Sequence, residues 1–230
     1  MIYYTDRCLL VLLLVFVSGC KDSNFNFKPT EVGKTDQVAK DEIEIDENNT
    51  NIGRAIWQKP GLVIEKLGDL SEKVIADLGA GTGYFSFKLA LKAKKVIAIE
   101  IEPELLAYID STKIKLPVDK RDKIETRLAK NDNPNLKPEE ADIILIINTI
   151  AYIKGLPLYL KTLMKGLKKD GQLMIIDYKM KRLPINAPPK SERIYLDKLE
   201  DMLISAGYKI LDTDDTSLDY QYIIIANKID

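Results

Sequence analysis

Histidine is absent from all 230 residues, which excludes Ser-His-Asp triads, Cys-His nucleophile pairs, His-ligated zinc and any histidine general base. Cysteine is nearly absent: Cys8 and Cys20 both fall within the first 20 residues, so neither a disulfide framework nor a Cys-rich metal site can belong to the body of the chain. A charge excess of either sign is missing too. With 34 Lys+Arg against 35 Asp+Glu the formal net charge is −1, a balance that disfavours a nucleic-acid partner. What is present is 46% apolar and 30% charged residues, the mixture of a globular protein, at a length suited to one domain with a proper core.

The first 50 residues differ in texture from the rest. Residues 8–17 read Cys-Leu-Leu-Val-Leu-Leu-Leu-Val-Phe-Val behind Arg7. As a helix those ten residues span about 15 Å, half of a bilayer's roughly 30 Å hydrocarbon core, so the run fits a signal-peptide h-region better than a membrane span. It ends in Val17-Ser18-Gly19-Cys20, which resembles the lipobox of bacterial lipoproteins. The resemblance implies cleavage before Cys20 and a diacylglycerol on its sulfur, hence a membrane-anchored protein of the cell envelope. An unprocessed leader would leave the protein cytoplasmic. Residues 21–50 hold four lysines against eight carboxylates with no apolar periodicity, the composition of a flexible acidic tether. The expected organisation is a signal peptide over 1–19, a tether over 20–50 and one domain over 51–230.

Within that domain apolar runs of strand length alternate with helical stretches. The runs are Val74–Ala76, Val96–Ile99, Ile143–Ile147, Leu173–Ile176 and Tyr222–Ala226, with a weaker one over Lys123–Leu128. They are continuous rather than alternating, as in strands covered on both faces of a parallel sheet. Helical spacing is found at Tyr84–Ala93, Glu104–Lys113, Leu158–Leu167 and Ile194–Ala206, and two short helices meet at Pro60-Gly61. The predicted fold is α/β, a doubly wound Rossmann-like sheet. Such a sheet binds ligands at the carboxyl ends of its strands.

At the first of those ends stands Asp77-Leu78-Gly79-Ala80-Gly81-Thr82-Gly83-Tyr84. Glycines at spacing two allow a tight turn and a close backbone approach to a ligand. A dinucleotide fingerprint would need glycine where Tyr84 stands, which weakens a nicotinamide dehydrogenase reading. The second run ends in Glu100-Ile101-Glu102-Pro103, and a carboxylate 21 positions after the first glycine is placed to accept ribose hydroxyls. Together these residues resemble motif I and the acidic strand-two terminus of the class I S-adenosylmethionine-dependent methyltransferases. Leu167-Lys168-Lys169-Asp170-Gly171 is similar to that family's approach to strand five. The resemblance spans about 51–230 and implies a seven-stranded sheet, mostly parallel with a C-terminal antiparallel strand. S-adenosylmethionine is the implied cofactor, held by Asp77, Gly79, Gly81, Gly83, Glu100 and Ile101. Asp132, or its neighbour Asn131, would meet the adenine, and Asn148, with Thr149 and Tyr152, would face the donor methyl or the acceptor.

The same resemblance implies methyl transfer by proximity and alignment, because a sulfonium methyl is already activated. A base is needed only if the acceptor arrives protonated; Asp177, Tyr152 and Tyr178 are the candidates, each with a structural alternative as a strand-end cap or packing aromatic. The acceptor is not legible in the sequence. The competing reading is a non-catalytic lipoprotein that retains the fold as a nucleoside-binding or interaction module, motivated by the distance an exported domain would have from cytoplasmic S-adenosylmethionine.

Overall fold

A computed structural model of the chain describes residues 53–229; the expected signal peptide, its lipidation site at Cys20 and the tether lie outside them. Two short helices come first, α1 (Arg54–Gln58) and α2 (Pro60–Lys66). Lys59 separates them at φ 47°, and Pro60, whose missing N–H costs nothing in a first helical turn, starts the second. Then follow β1 (Val74–Leu78), α3 (Tyr84–Ala90), β2 (Lys95–Glu100), α4 (Pro103–Lys113), α5 (Val118–Arg121), β3 (Ile124–Leu128), β4 (Ala141–Ile147), α6 (Leu156–Gly166), β5 (Leu167–Tyr178), α7 (Leu196–Ala206), β6 (Tyr208–Asp214) and β7 (Gln221–Lys228). Single 3-10 turns at Ile150–Tyr152 and Lys190–Glu192 follow β4 and precede α7.

The seven strands form one sheet in the order β3-β2-β1-β4-β5-β7-β6. Strands β1 to β5 pair in parallel, and β7 runs antiparallel to both β5 and β6. This is the predicted Rossmann-like architecture. Because β1, β4, β5 and β7 are sandwiched, their side chains feed two cores by simple alternation. Ile75, Val96, Ile143 and Ile223 face one side with Phe87 and Leu89 of α3, while Ala76, Ile97, Ile144 and Ile224 face the other with Leu160, Leu163, Leu199 and Leu203 of α6 and α7. That double burial is why the strands read as unbroken Ile/Val/Leu runs. The strand order reverses between β1 and β4, so the crevice at their carboxyl ends is the topological switch point where ligands bind. Among the described residues no helix is long and apolar enough to cross a membrane.

Candidate functional site at the switch point

The turn from β1 into α3 is held by backbone geometry. Gly79, Gly81 and Gly83 all have positive φ, at 77°, 56° and 84°. The amides of Gly79 and Ala80 both donate to the carbonyl of Ile99, at 2.9 and 3.0 Å, which fastens the turn to the end of β2. The three glycines are needed for different reasons. A Cβ on Gly79 would stand 2.1 Å from the Thr149 hydroxyl oxygen, and one on Gly83 would stand 2.8 Å from the Phe87 ring. A Cβ on Gly81 would meet nothing within 4 Å, so Gly81 faces open space and needs glycine for its φ alone.

Beside this turn Glu100 is only 8% exposed yet lines the cleft. Its Oε2 accepts the Gly81 amide at 2.8 Å, and its Oε1 accepts those of Ile101 at 2.7 Å and Glu102 at 3.4 Å. A carboxylate offers about four lone-pair sites, so Oε2 keeps one uncommitted. The rest of the wall comes from the ends of β1 to β4, the segments that follow them and α6: Leu78, Ile99, Ile101, Ala129 and Ile153 are apolar, and Lys130, Asn131, Thr149, Tyr152, Lys154 and Tyr159 of α6 are polar. The enclosed part is about 130 Å³, so a nucleoside-sized ligand would extend along the open mouth.

Asp77 does not reach this cleft. It is 3% exposed and accepts the Ser86 hydroxyl at 2.6 Å, tying the end of β1 to α3 behind the glycine turn. Burial pushes its carboxyl up to about 6 against the opposing pull of Ser86 and Arg54. Of the pair expected after β3, Asn131 lines the cleft, whereas Asp132 is exposed and acts on it through the charge it presents to Tyr159. Asn148 sits at φ 57°, and its side-chain oxygen accepts from Gln221. Gln221 in turn accepts from Gln58 at 3.1 Å, and Gln58 accepts from Arg54 at 2.6 Å. This chain of amides, with Gln58 and Gln221 fully buried, joins α1 to the end of β4. The Arg54 guanidinium also lies 4.6 Å over the Tyr84 ring. Nothing in the local sequence around Gln58 and Gln221 marks them, since 163 residues separate the two.

The three candidate bases part company. Tyr178 is buried, its ring 6.2 Å from Trp57. Tyr152 is 58% exposed and lines the cleft, but burial of its ring edge and the charges of Glu192 and Asp177 raise its phenol, which stays protonated at neutral pH. Asp177, 2% exposed, accepts the amides of Tyr178 at 2.6 Å and of Ala151, which makes it an anchor for the loop after β4. Its Oδ2 has no hydrogen-bond partner, and burial pushes the carboxyl up from 3.8 to about 6.

That shift fixes the sign of a pH effect. The folded chain holds this proton more tightly than the unfolded chain, so ionising Asp177 costs stability; the cost is absent below pH 4 and complete above pH 6. At about 1.4 kcal/mol per pKa unit it reaches about 3 kcal/mol. Asp177→Asn is therefore expected to be about 1–3 kcal/mol more stable than wild type at pH 8, with the gain roughly halved at pH 5. Thermal melts at the two pH values check this; a pH-independent difference would remove the assignment.

Comparison with known proteins agrees with this geometry. Residues 69–224 match a family model described as a methyltransferase domain. Among solved structures, a SAM-dependent methyltransferase from Aquifex aeolicus superposes with a TM-score of 0.71 at 21% identity, over 77% of this chain and 93% of that one. An S-adenosylmethionine-dependent methyltransferase from Mesorhizobium loti gives 0.61 at 14% identity over 73% and 96%. The [4+2]-cyclase SpnF gives 0.65 at 16% over 76% and 82%, so the fold by itself does not fix the reaction. With the family model covering more than half of the sequence and the glycine turn and Glu100 meeting at the switch point, the chain belongs to the methyltransferase domain family.

Proposed function

We propose that this protein binds S-adenosylmethionine across the carboxyl ends of β1 to β4 and transfers its methyl group to an acceptor. The observation that carries the reading is the meeting of the Glu100 carboxylate, which lines the cleft, with the amide of Gly81 in the glycine turn, 2.8 Å apart. The free lone pair of Oε2 suits a ribose hydroxyl, and a second hydroxyl can displace the long 3.4 Å bond from Glu102. Ile101, Ala129 and Ile153 offer an apolar slot for a flat base, and Asn131 supplies an amide at its edge. Thr149 and Tyr152 stand where the acceptor would approach. S-adenosylmethionine supplies an activated methyl on a sulfonium, and the protein's part is alignment and exclusion of water. Tyr84 at the head of α3, buried beneath Arg54, leaves the third glycine of a dinucleotide turn unmade.

Calorimetric titration of the full chain with S-adenosylmethionine and with NAD tests this. Saturable binding of the first and none of the second is expected; binding of NAD alone would overturn the reading.

Lipid anchoring through Cys20 is part of the same proposal, supported by the ten-residue apolar run and Val17-Ser18-Gly19-Cys20. A diacylglycerol plus an amide-linked chain holds a protein at a membrane where one lipid is marginal. Intact-mass measurement of detergent-extracted protein should give a chain beginning at Cys20 with added lipid mass. A chain retaining Met1 would return the protein to the cytoplasm.

A further inference from the structure

A second cleft of about 540 Å³ opens beside the first, between the start of α6, the segment after β5 and the face of α7. Ile153 belongs to the walls of both, so the two clefts meet there. The floor is apolar, built from Leu156, Met180, Ile194 and Met202. Among the described residues its charged lining is of one sign: Lys190, Arg193 and Lys198, with no carboxylate. Lys190 and Lys198 have no ion-pair partner among the described residues. Arg193 is held rigid by donating to the carbonyls of Pro188, Lys179 and Lys181, at 2.7 to 2.9 Å, which orients the guanidinium without neutralising it. The nearby acids are placed elsewhere. Glu192 acts on Tyr152, Asp197 accepts the Lys198 amide, Asp201 lines an adjoining depression that it shares with Lys161 and Lys198, and Asp177 is buried with Arg193 acting on its charge; none of the four lines this cleft.

A second observation concerns protons. Around the junction the ionisable lining groups are Glu100, whose oxygens already accept three amides, lysines, and tyrosines such as Tyr152 that remain protonated. Among the described residues that line the junction Glu100 is the only carboxylate, and it is already held by three amides, so the lining favours a nucleophile that arrives with no proton to lose. A carboxylate meets both conditions: it is anionic at neutral pH, and its oxygen attacks directly.

Resting on the methyl-transfer reading above, we infer that the acceptor is a small amphipathic carboxylic acid, seated with its apolar body on the Leu156–Met202 floor and steered by Lys190, Arg193 and Lys198, and that the product is its methyl ester. In the step a carboxylate oxygen lone pair forms the new O–C bond to the donor methyl, and the C–S bond breaks with its electron pair retained on sulfur. An ester and S-adenosylhomocysteine result, and no proton moves.

Calorimetry on the full chain with three probes of equal chain length, decanoate, decanol and decylamine, tests the site without requiring turnover. Decanoate is expected to bind at least tenfold more tightly than decanol, with decylamine weakest. Lys190→Glu with Lys198→Glu, both at exposed positions, is expected to weaken decanoate tenfold or more while S-adenosylmethionine affinity stays within twofold. With both ligands present, mass spectrometry should find methyl decanoate. Decylamine binding as well as decanoate, an unchanged decanoate affinity in the double variant, or binding only to vesicles of equal phosphatidylglycerol and phosphatidylcholine would overturn the inference. S-adenosylmethionine binding measured on the same preparation keeps the two readings apart: its loss sinks the cofactor assignment, whereas its presence beside failed decanoate binding sinks this one alone.

Discussion

Gly79→Ala is expected to abolish measurable S-adenosylmethionine binding and to lower stability by about 2–5 kcal/mol. Two costs add. A left-handed φ of 77° costs a residue with a Cβ about 1–2 kcal/mol, and overpacking a filled site costs about 1–3 kcal/mol. The overpacking follows from a Cβ 2.1 Å from the Thr149 hydroxyl oxygen and 2.8 Å from the Thr149 Cβ, which cannot be relieved without moving the turn or the end of β4. Roughly 2–4 °C per kcal/mol in a domain of this size makes the loss plain in a thermal melt. Gly81→Ala is the control, because open space surrounds its Cβ position and only the backbone cost, about 1–2 kcal/mol, applies. Thr149→Gly in the Gly79→Ala background should recover the steric part. Equal losses at Gly79 and Gly81 would show that the contact with Thr149 is not what the first glycine is for.

Glu100→Ala is expected to weaken S-adenosylmethionine about 10–100-fold. Charge-assisted hydrogen bonds contribute about 1.5–3 kcal/mol each, and the variant also leaves the Gly81 and Ile101 amides without their acceptor, which loosens the turn. Glu100→Gln separates charge from shape. Its single oxygen can satisfy Ile101, but its amide then points N–H toward the N–H of Gly81, so the glutamine should be nearly as defective as the alanine. Titration calorimetry at matched folded fraction decides it; an affinity within twofold of wild type in both variants would place the ligand elsewhere.

Much of this was legible along the chain. The unbroken runs at Val96–Ile99, Ile143–Ile147 and Tyr222–Ala226 announce strands buried on both faces, because a sandwiched strand has no side that water can occupy. The glycine turn and Glu100 are also local signals, since a positive φ and a strand-end carboxylate are written in adjacent residues. The sequence alone assigns all three glycines the same part, a tight turn and a close backbone approach to a ligand. Within the protein the tight contact is at Gly79, because its neighbour Thr149 lies just past the end of β4, 70 residues away.

Composition determined the chemistry that is excluded: with no histidine anywhere, no fold could place an imidazole in the cleft. Tertiary structure decided which of the remaining groups serve. Asp77, which the motif marks as a ligand residue, turns inward to Ser86, and Asp177, a candidate base, is buried at the end of β5, where it accepts the Tyr178 amide. Gln58 and Gln221 carry no local signal yet are buried together, 163 residues apart. The reason is the same in each case. Periodicity and spacing report which face of its own element a residue occupies, whereas the partner across that face is set by strand order, and strand order exists only once the sheet has closed.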